Sequence, residues 1–211
     1  MNMYILSALI LTLAYTLRAN EVPKVNINVN FEYFCSDCTK YVSEQLYPTY
    51  QKLGSILDIQ LNTFAFYSWT NKTNPDGTYD ITIKNLTEVQ GTLIQACVME
   101  MEPIDKTLAL LSCMFTSPDY QTQVNAGKQC SEKLGLNWAQ INECAQGPLG
   151  RGLYIQGFER MMAVKPKITW FPWIIVNGQH TDELQDKAEH HFMKIVCDTY
   201  TGPKPDDCKN L

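Results

Sequence analysis

Two cysteines, Cys35 and Cys38, stand three positions apart in the segment Cys35-Ser36-Asp37-Cys38. Thiols at this spacing can reduce a disulfide, because one thiolate attacks a disulfide sulfur and the second resolves the mixed disulfide. Residues 24–34 alternate apolar and polar, and apolar residues then recur at helical spacing to position 53, so the pair opens a helix. A helix N-terminus favours a thiolate. We therefore predict Cys35 as the nucleophile and the more shielded Cys38 as the resolving cysteine.

Two other interpretations of this cysteine pair stay open. A zinc site needs a second Cys or His pair at ligand spacing, and apart from the adjacent His190 and His191 the chain has none. We therefore expect no metal and no organic cofactor. A purely structural disulfide would close a very small loop and gain little stability, and it would leave Cys35 unreactive.

A second candidate element is the dipeptide Phe171-Pro172, which leads a short apolar strand at residues 170–176. An X-Pro bond between two large residues is a plausible cis peptide, and a turn of that kind facing the cysteines would offer backbone groups to an extended substrate. We therefore predict Phe171 and Pro172 as substrate-binding residues. The alternative is an ordinary trans proline on an edge strand. His180 is a possible proton donor, but a solvated turn residue is the commoner case.

The other six cysteines are predicted to form structural disulfides. Six cysteines allow 15 pairings, and their order along the chain favours neighbours. Neighbours close short loops with modest geometric demand. The predicted pairs are Cys97 with Cys113, Cys130 with Cys144, and Cys197 with Cys208. Eight cysteines in 211 residues also indicate an oxidising compartment.

The elements that must position these groups begin with a strand, a helix and a second strand. The helix is expected to kink at Pro48, and the second strand covers residues 56–69 and ends at a turn cluster from Asn71 to Gly77. The remaining predicted elements are helical stretches at 92–120, 125–144 and 148–164, a strand at 170–176, a hairpin turn at Asn177-Gly178 and a helix at 182–200. This order predicts an α/β chain with a thioredoxin-like fold and an inserted helical lobe at about residues 90–165.

The N-terminus and the composition limit the class of protein. Residues 1–19 resemble a signal peptide, with an apolar run from Tyr4 to Leu17, and an uncleaved anchor or buried helix is the alternative. No other long apolar run follows, so residues 20–211 are predicted to form one domain without a membrane span. The net charge of −5 argues against a nucleic-acid partner. The sequons at Asn71 and Asn85 are candidate glycosylation sites, although either is equally an unmodified surface turn.

Five short motifs between residues 25 and 208 share the spacing of a known family. They are Cys35 to Cys38 after a strand, Gln90-Gly91 leading to Ala96-Cys97, Ile141-Asn142-Glu143-Cys144, the segment from Phe171-Pro172 to Asn177-Gly178, and Val196-Cys197 through Gly202 and Pro205-Asp206 to Cys208. Together they resemble the gamma-interferon-inducible lysosomal thiol reductase family. The resemblance implies a thioredoxin-like fold, reduction of protein disulfides in acidic compartments, Cys35 as nucleophile, Cys38 as resolving cysteine and Pro172 as the cis-proline.

One segment departs from that family's signature, which reads Cys-Gln-His-Gly, two residues, Glu-Cys, two residues, Asn, four residues, Cys. Counting back from Cys97, this chain keeps Glu88 but has Val89 for the middle Cys and Thr92 for Asn. The Cys-Gln-His-Gly stretch is replaced by Thr82-Ile83-Lys84-Asn85. Two cysteines are absent together, which leaves an even count.

We predict a thiol–disulfide oxidoreductase that reduces protein disulfides in the endolysosomal or secretory pathway. Its partners are disulfide-containing protein substrates and a small-thiol reductant, and its location is lysosomal or secreted. The alternative is a secreted, glycosylated binding protein on the same scaffold with weak or lost reductase activity. The presence of both Cys35 and Cys38 favours the enzyme, and the altered signature favours the alternative.

Overall fold

A computed structural model of the chain describes residues 22–65, 69–75, 79–83 and 86–209. The predicted signal peptide at residues 1–19 and the candidate glycosylation site Asn85 lie outside these ranges. Across the described ranges, none of the helices combines the length and the apolar character that crossing a membrane would need.

A three-stranded sheet carries the segments that precede Cys35 and follow Pro172. Its central strand, β1 (Val25–Phe31), pairs in parallel with β2 (Leu57–Thr63) on one side. On the other side it pairs antiparallel with β5 (Trp173–Val176). The predicted alternation of apolar and polar residues is present in β1. Because the strand is central, its polar Asn30 is buried as well, and it is satisfied by side-chain hydrogen bonds.

A continuous helical stretch follows β1 after a short turn. It consists of α1 (Ser36–Lys40), a π-helical segment (Tyr41–Leu46), α2 (Tyr47–Leu53) and a single 3₁₀ turn (Gly54–Ile56). The sequence predicts a kink at Pro48. The structure places the change of helix type directly before this proline, where the Tyr47 N–H donates to the Val42 carbonyl five residues back. Pro48 has no N–H to donate, so it sits near the start of α2, where that loss costs little.

A separate two-stranded antiparallel sheet is formed by β3 (Trp69–Thr73) and β4 (Tyr79–Ile83). The sequence prediction of a turn cluster from Asn71 to Gly77 is therefore wrong at its start, because Asn71 pairs with Ile81 inside this sheet. The signal that was undervalued is the β-branched content of the two segments, since threonine and isoleucine favour strands even in a polar stretch.

Five helices separate this small sheet from β5. They are α3 (Leu86–Met101), α4 (Ile104–Phe115), α5 (Gln123–Lys133), α6 (Trp138–Gln146) and α7 (Pro148–Ala163). Pro103 precedes α4, and Gly135 follows α5 with a φ of 68°, a left-handed conformation that glycine adopts at little cost.

The chain closes with β5, a tight turn and α8 (Asp182–Thr199). Asn177 and Gly178 have φ values of 48° and 75°, as the predicted hairpin turn requires. The predicted hairpin is nevertheless wrong, because only an isolated bridge between Val176 and Gln179 follows the turn before α8 begins. The Thr181 hydroxyl caps α8 by accepting the Leu184 N–H at 3.1 Å.

The disulfides of the helical lobe do not follow chain order. Cys97 pairs with Cys144 and Cys113 pairs with Cys130, so the predicted pairs 97–113 and 130–144 are wrong. The physical reason is helix packing. Helix α3 packs against α6 and α7, and α4 packs against α5, which brings cysteines together across helix faces. Cys197 pairs with Cys208 as predicted.

Candidate active site

Cys35 occupies the N-cap of α1 and forms a disulfide with Cys38. The Cys38 backbone N–H donates to the Cys35 sulfur at 3.1 Å, and the Thr39 N–H donates to the Cys35 carbonyl at 3.0 Å. The Cys35 residue is half-buried, whereas Cys38 is fully buried. An N–H aimed at a sulfur stabilises a thiolate, so this geometry favours Cys35 as the anionic thiol of the reduced pair.

The segment Phe171-Pro172 lies beside the cysteines, although it is far away in the sequence. The Phe171–Pro172 peptide bond is cis, so the alternative of a trans proline does not hold. The Phe171 carbonyl oxygen lies 3.7 Å from the Cys35 sulfur. Pro172 itself is buried, and Phe171 is half-buried. The two predicted parts of the site therefore meet, and the Phe171 carbonyl is the group that faces the Cys35 sulfur.

A pair of tyrosines fixes the turn that leads into Cys35. The Tyr33 hydroxyl donates to the Tyr120 carbonyl at 2.9 Å, and the Tyr120 hydroxyl donates to the Tyr33 carbonyl. The two rings stack with centroids 4.9 Å apart. Phe34 packs edge-on against both rings and remains 41% exposed. The turn before the cysteines is thus tied to the loop between α4 and α5.

The environment of these tyrosines keeps their hydroxyls neutral. Burial raises the pKa of Tyr33, and the nearby Tyr120 adds to the increase. Burial also raises the pKa of Tyr120, although hydrogen bonds with the Thr39 side chain and the Cys35 backbone oppose that increase. A neutral hydroxyl can donate, so the reciprocal hydrogen bonds between the two tyrosines persist at physiological pH.

The histidines occupy two different environments. His180 is half-buried, its ring stacks on Trp173 with centroids 3.6 Å apart, and its Nδ1 lies 2.8 Å from the Ile174 carbonyl oxygen. The expectation of a solvated turn residue is therefore wrong for His180, which packs on β5. His190 and His191 are exposed on α8.

A depression of about 320 Å³ lies beside the helix that carries the cysteines. Its lining residues are mostly charged or polar: Asp37, Lys40, Tyr41, Glu44, Gln45, Glu189 and His190. Burial raises the pKa of Tyr41, and the Glu189 carboxylate contributes in the same direction. Within the described ranges, no cluster of three or more His, Cys, Asp or Glu side chains could hold a metal ion.

Sequence reasoning missed two residues that shape this site, Tyr120 and Gln185. Gln185 lies on α8 and hydrogen-bonds to the backbone on both sides of Trp173. Neither residue is close in sequence to the group it contacts, and neither belongs to a recognisable motif. Gln185 is buried one turn after the helix N-cap and therefore needs hydrogen-bond partners, but its burial is known only from the structure. The candidate glycosylation residue Asn71 lies in β3.

The chain was compared with known proteins and solved structures. Residues 26–134 match the family described as Gamma interferon inducible lysosomal thiol reductase (GILT). Gamma-interferon-inducible lysosomal thiol reductase of the goldfish Carassius auratus is 30% identical over 191 residues, covering 87% of this chain and 72% of the relative. The protein of the same name from Mus musculus is 25% identical, with coverages of 90% and 73%.

A solved structure extends the comparison to the fold. MdbA, a thiol-disulfide oxidoreductase from Actinomyces oris, has a TM-score of 0.57 at 12% identity, covering 82% of this chain and 79% of MdbA. At this identity the similarity shows the fold alone. The predicted α/β thioredoxin-like fold with a helical insertion is confirmed.

Proposed function

Because this chain belongs to the gamma-interferon-inducible lysosomal thiol reductase family and is a thiol–disulfide oxidoreductase, we propose that it reduces protein disulfides with Cys35 as the attacking thiol and Cys38 as the resolving thiol. One observation carries the assignment of roles. Cys35 is the more exposed residue of the two and its sulfur receives the Cys38 N–H at 3.1 Å, so it combines access with stabilisation of the anion.

The reaction starts from the reduced pair. The Cys35 thiolate attacks one sulfur of the substrate disulfide, a Cys35–substrate disulfide forms, and the other substrate sulfur leaves as a thiolate that takes up a proton. The Cys38 thiolate then attacks the Cys35 sulfur, which releases the second substrate thiol and forms the Cys35–Cys38 disulfide present in the structure. Two molecules of a small thiol return the pair to the reduced state and are oxidised to their own disulfide.

The substrate would lie along the backbone of Phe171 and Pro172. The Phe171 carbonyl is 3.7 Å from the Cys35 sulfur, so a main-chain N–H of an extended substrate that pairs with it brings a neighbouring substrate cysteine close to Cys35. Recognition by main-chain pairing is tolerant of sequence, which suits an enzyme with many protein substrates. Phe34 provides an exposed apolar side chain at the same end of the molecule.

A second candidate function is contact-based binding on the same scaffold, with weak or lost catalysis. The observation that favours it is the replacement of the Cys-Gln-His-Gly part of the family signature by Thr82-Ile83-Lys84-Asn85. Thr82 and Ile83 lie at the end of β4. The hydrogen bond from the Cys38 N–H to the Cys35 sulfur is independent of that segment, and it therefore supports the enzymatic function.

The test replaces each cysteine separately. Cys35→Ser should abolish reduction of a fluorescence-quenched disulfide peptide, because the attacking thiol is missing. Cys38→Ser should accumulate a mixed disulfide, which mass spectrometry under non-reducing conditions detects as a covalent adduct. The matched control is the double variant Cys197→Ser/Cys208→Ser, which removes a disulfide but leaves the pair and should keep turnover. Equal trapping of substrate by Cys35→Ser and Cys38→Ser would contradict the assignment, and an inactive wild-type chain would favour the binding function.

We also propose that the chain works in the secretory or endolysosomal pathway and that Asn71 and Asn85 carry glycans there. Four disulfides and the apolar run at residues 4–17 support this location, because disulfides persist in oxidising compartments. Expression in a secretory host, followed by glycosidase treatment, should lower the apparent mass. A chain that stays unglycosylated in the cytosol would contradict the proposal.

A further inference from the structure

Gln185 joins α8 to the backbone that lies beside Cys35. Its side chain is buried, with 3% exposure. The Nε2 group donates to the Pro172 carbonyl at 2.8 Å, and Oε1 accepts the Ile174 N–H at 2.9 Å. The amide therefore bridges Trp173 and fixes the backbone of the residue before it and of the residue after it. Pro172 directly follows Phe171, whose carbonyl is 3.7 Å from the Cys35 sulfur.

The position of β5 in the sheet explains why a side chain is needed here. Strand β5 is at the edge of the three-stranded sheet, and its inner side pairs with β1. Ile174 directs both its N–H and its carbonyl away from β1, to Gln185 and His180 respectively. A primary amide carries an acceptor oxygen and a donor nitrogen that can face the same strand edge. Gln185 therefore supplies the two hydrogen bonds that the N–H and the carbonyl of one residue in a further strand would make.

A third hydrogen bond sets the orientation of this amide. The second Nε2 proton is donated to the Glu189 carboxylate, one helical turn later on α8. A carboxylate only accepts, and so does the Pro172 carbonyl, so both require the nitrogen end of the amide. The Ile174 N–H requires the oxygen end. A flipped amide would lose all three hydrogen bonds, and the network therefore has a single orientation.

We propose that Gln185 is a positioning residue for disulfide reduction, which holds the Phe171–Ile174 backbone in register with Cys35 and closes the outer edge of β5. This inference rests on the proposed function. An extended substrate is then directed to the backbone at Phe171, next to the reactive sulfur, and does not pair further along β5. The hydrogen bonds of the Gln185 side chain go to Pro172, Ile174 and Glu189 and not to the cysteines, so it acts through the substrate-binding backbone.

The test compares Gln185→Glu with Gln185→Met. An ionised glutamate at this position cannot donate to Pro172 and faces the Glu189 carboxylate, so at neutral pH the KM for the disulfide peptide should rise about tenfold. When the introduced carboxyl is protonated, it offers one donor and one acceptor, as the amide does. Activity of Gln185→Glu relative to wild type should therefore recover as the pH falls. Gln185→Met offers neither hydrogen bond and should remain impaired at every pH.

Two measurements separate positioning from a loss of structure. The rate of Cys35 alkylation by iodoacetamide, a reagent that does not use the Phe171 backbone, should stay within about twofold of wild type in both variants. The control is Gln179→Met, which changes an exposed glutamine in the turn after β5 and should leave KM unchanged. If Gln185→Met does not fold, the inference is tested by Gln185→Glu alone, through the recovery of its activity relative to wild type as the pH falls.

The outcomes distinguish this inference from the function on which it rests. A wild-type chain that reduces no disulfide peptide overturns the proposed function, and this inference with it. An active wild type combined with wild-type KM in folded Gln185→Met overturns the inference alone. Slower alkylation of Cys35 in step with the loss of peptide reduction also overturns it, because the effect would then act on the thiol and not on the backbone.

Discussion

The candidate active site and the helical lobe both contain cystines, but the surroundings of these cystines differ. Cys35 is half-buried, receives a backbone N–H, and lies beside the Phe171 carbonyl. Cys97 and Cys144 are buried in the apolar core and join positions 47 residues apart. The same bond is thus suited to exchange chemistry where it is accessible and polar, and it is suited to cross-linking where it is shielded. Surroundings, more than the cysteines themselves, separate the two roles.

The largest expected effect is on stability, and it comes from removing the long cross-link between Cys97 and Cys144. The double variant Cys97→Ala/Cys144→Ala should lower the free energy of unfolding by about 4 kcal/mol, since a loop of this length gains much entropy when the unfolded chain is released. Urea unfolding measures the change. Cys35→Ala/Cys38→Ala is the matched control and should lose less than half as much, because its two cysteines are only three positions apart. Equal losses would mean that both disulfides are structural.

The cysteine region and the helical lobe also differ in how well the sequence predicts them. The cysteine pair, the strand before it and the helix after it depend on residues that are near one another in the chain, so periodicity and spacing are sufficient for them. Pro172 was also identifiable from its neighbours. The meeting of Phe171 with Cys35 could be expected only from the fold, because 136 residues separate them.

The helical lobe was predicted less well, since its contacts depend on helix packing. The positions of the helices followed from their apolar spacing, but the partners of Cys97 and Cys113 depend on which helix faces meet. Chain order carries no information about that choice. The contacts of Gln185 and Tyr120 were missed for the same reason, because a side chain that hydrogen-bonds a distant backbone group leaves no periodic signal.

An effect of intermediate size concerns two buried tyrosines, one from each region. Tyr41 begins the π-helical segment that directly follows α1, and its hydroxyl has no hydrogen-bond partner within the described part of the chain. Tyr154 on α7 is equally buried, but its hydroxyl donates to the Ala65 carbonyl at 2.9 Å. Tyr154→Phe should therefore cost about 1–2 kcal/mol of unfolding free energy, whereas Tyr41→Phe should be neutral or stabilising by up to about 1 kcal/mol.

The pH dependence of stability gives the tyrosine comparison a second measurement. Burial raises the pKa of both residues above the ordinary tyrosine value of 10.0. Their contribution to stability is complete below pH 10 and decreases above it, because the unfolded chain releases these protons first. Tyr41→Phe removes one such group, so its unfolding free energy should decline less steeply above pH 10 than that of wild type. An unchanged slope would contradict the burial of this hydroxyl.

The smallest expected effect concerns Asp37, whose carboxylate lies between the two cysteines in sequence. A negative charge close to Cys35 opposes thiolate formation, so Asp37→Asn should lower the pKa of the Cys35 thiol and speed its alkylation at acidic pH. Asp37 is exposed and lines the same depression as Lys40, so solvent and this neighbour weaken the effect, and we expect a change of about twofold.

The measurement is the rate of iodoacetamide alkylation of Cys35 against pH in the Cys38→Ser background, with the other cysteines oxidised. A lowered thiol pKa raises the rate by a constant factor below that pKa and leaves the alkaline plateau unchanged, because the rate follows the fraction of thiolate. Glu44→Gln, which removes a carboxylate from the same depression two helical turns further from Cys35, serves as the control and should have no effect. The difference in Cys35 alkylation rate between the chain with Asp37 and the Asp37→Asn variant should also decrease in high salt. A tenfold acceleration that persists in high salt would contradict a screened surface charge, and it would make Asp37, along with the Cys38 N–H, a principal determinant of the reactivity that separates this disulfide from those of the lobe.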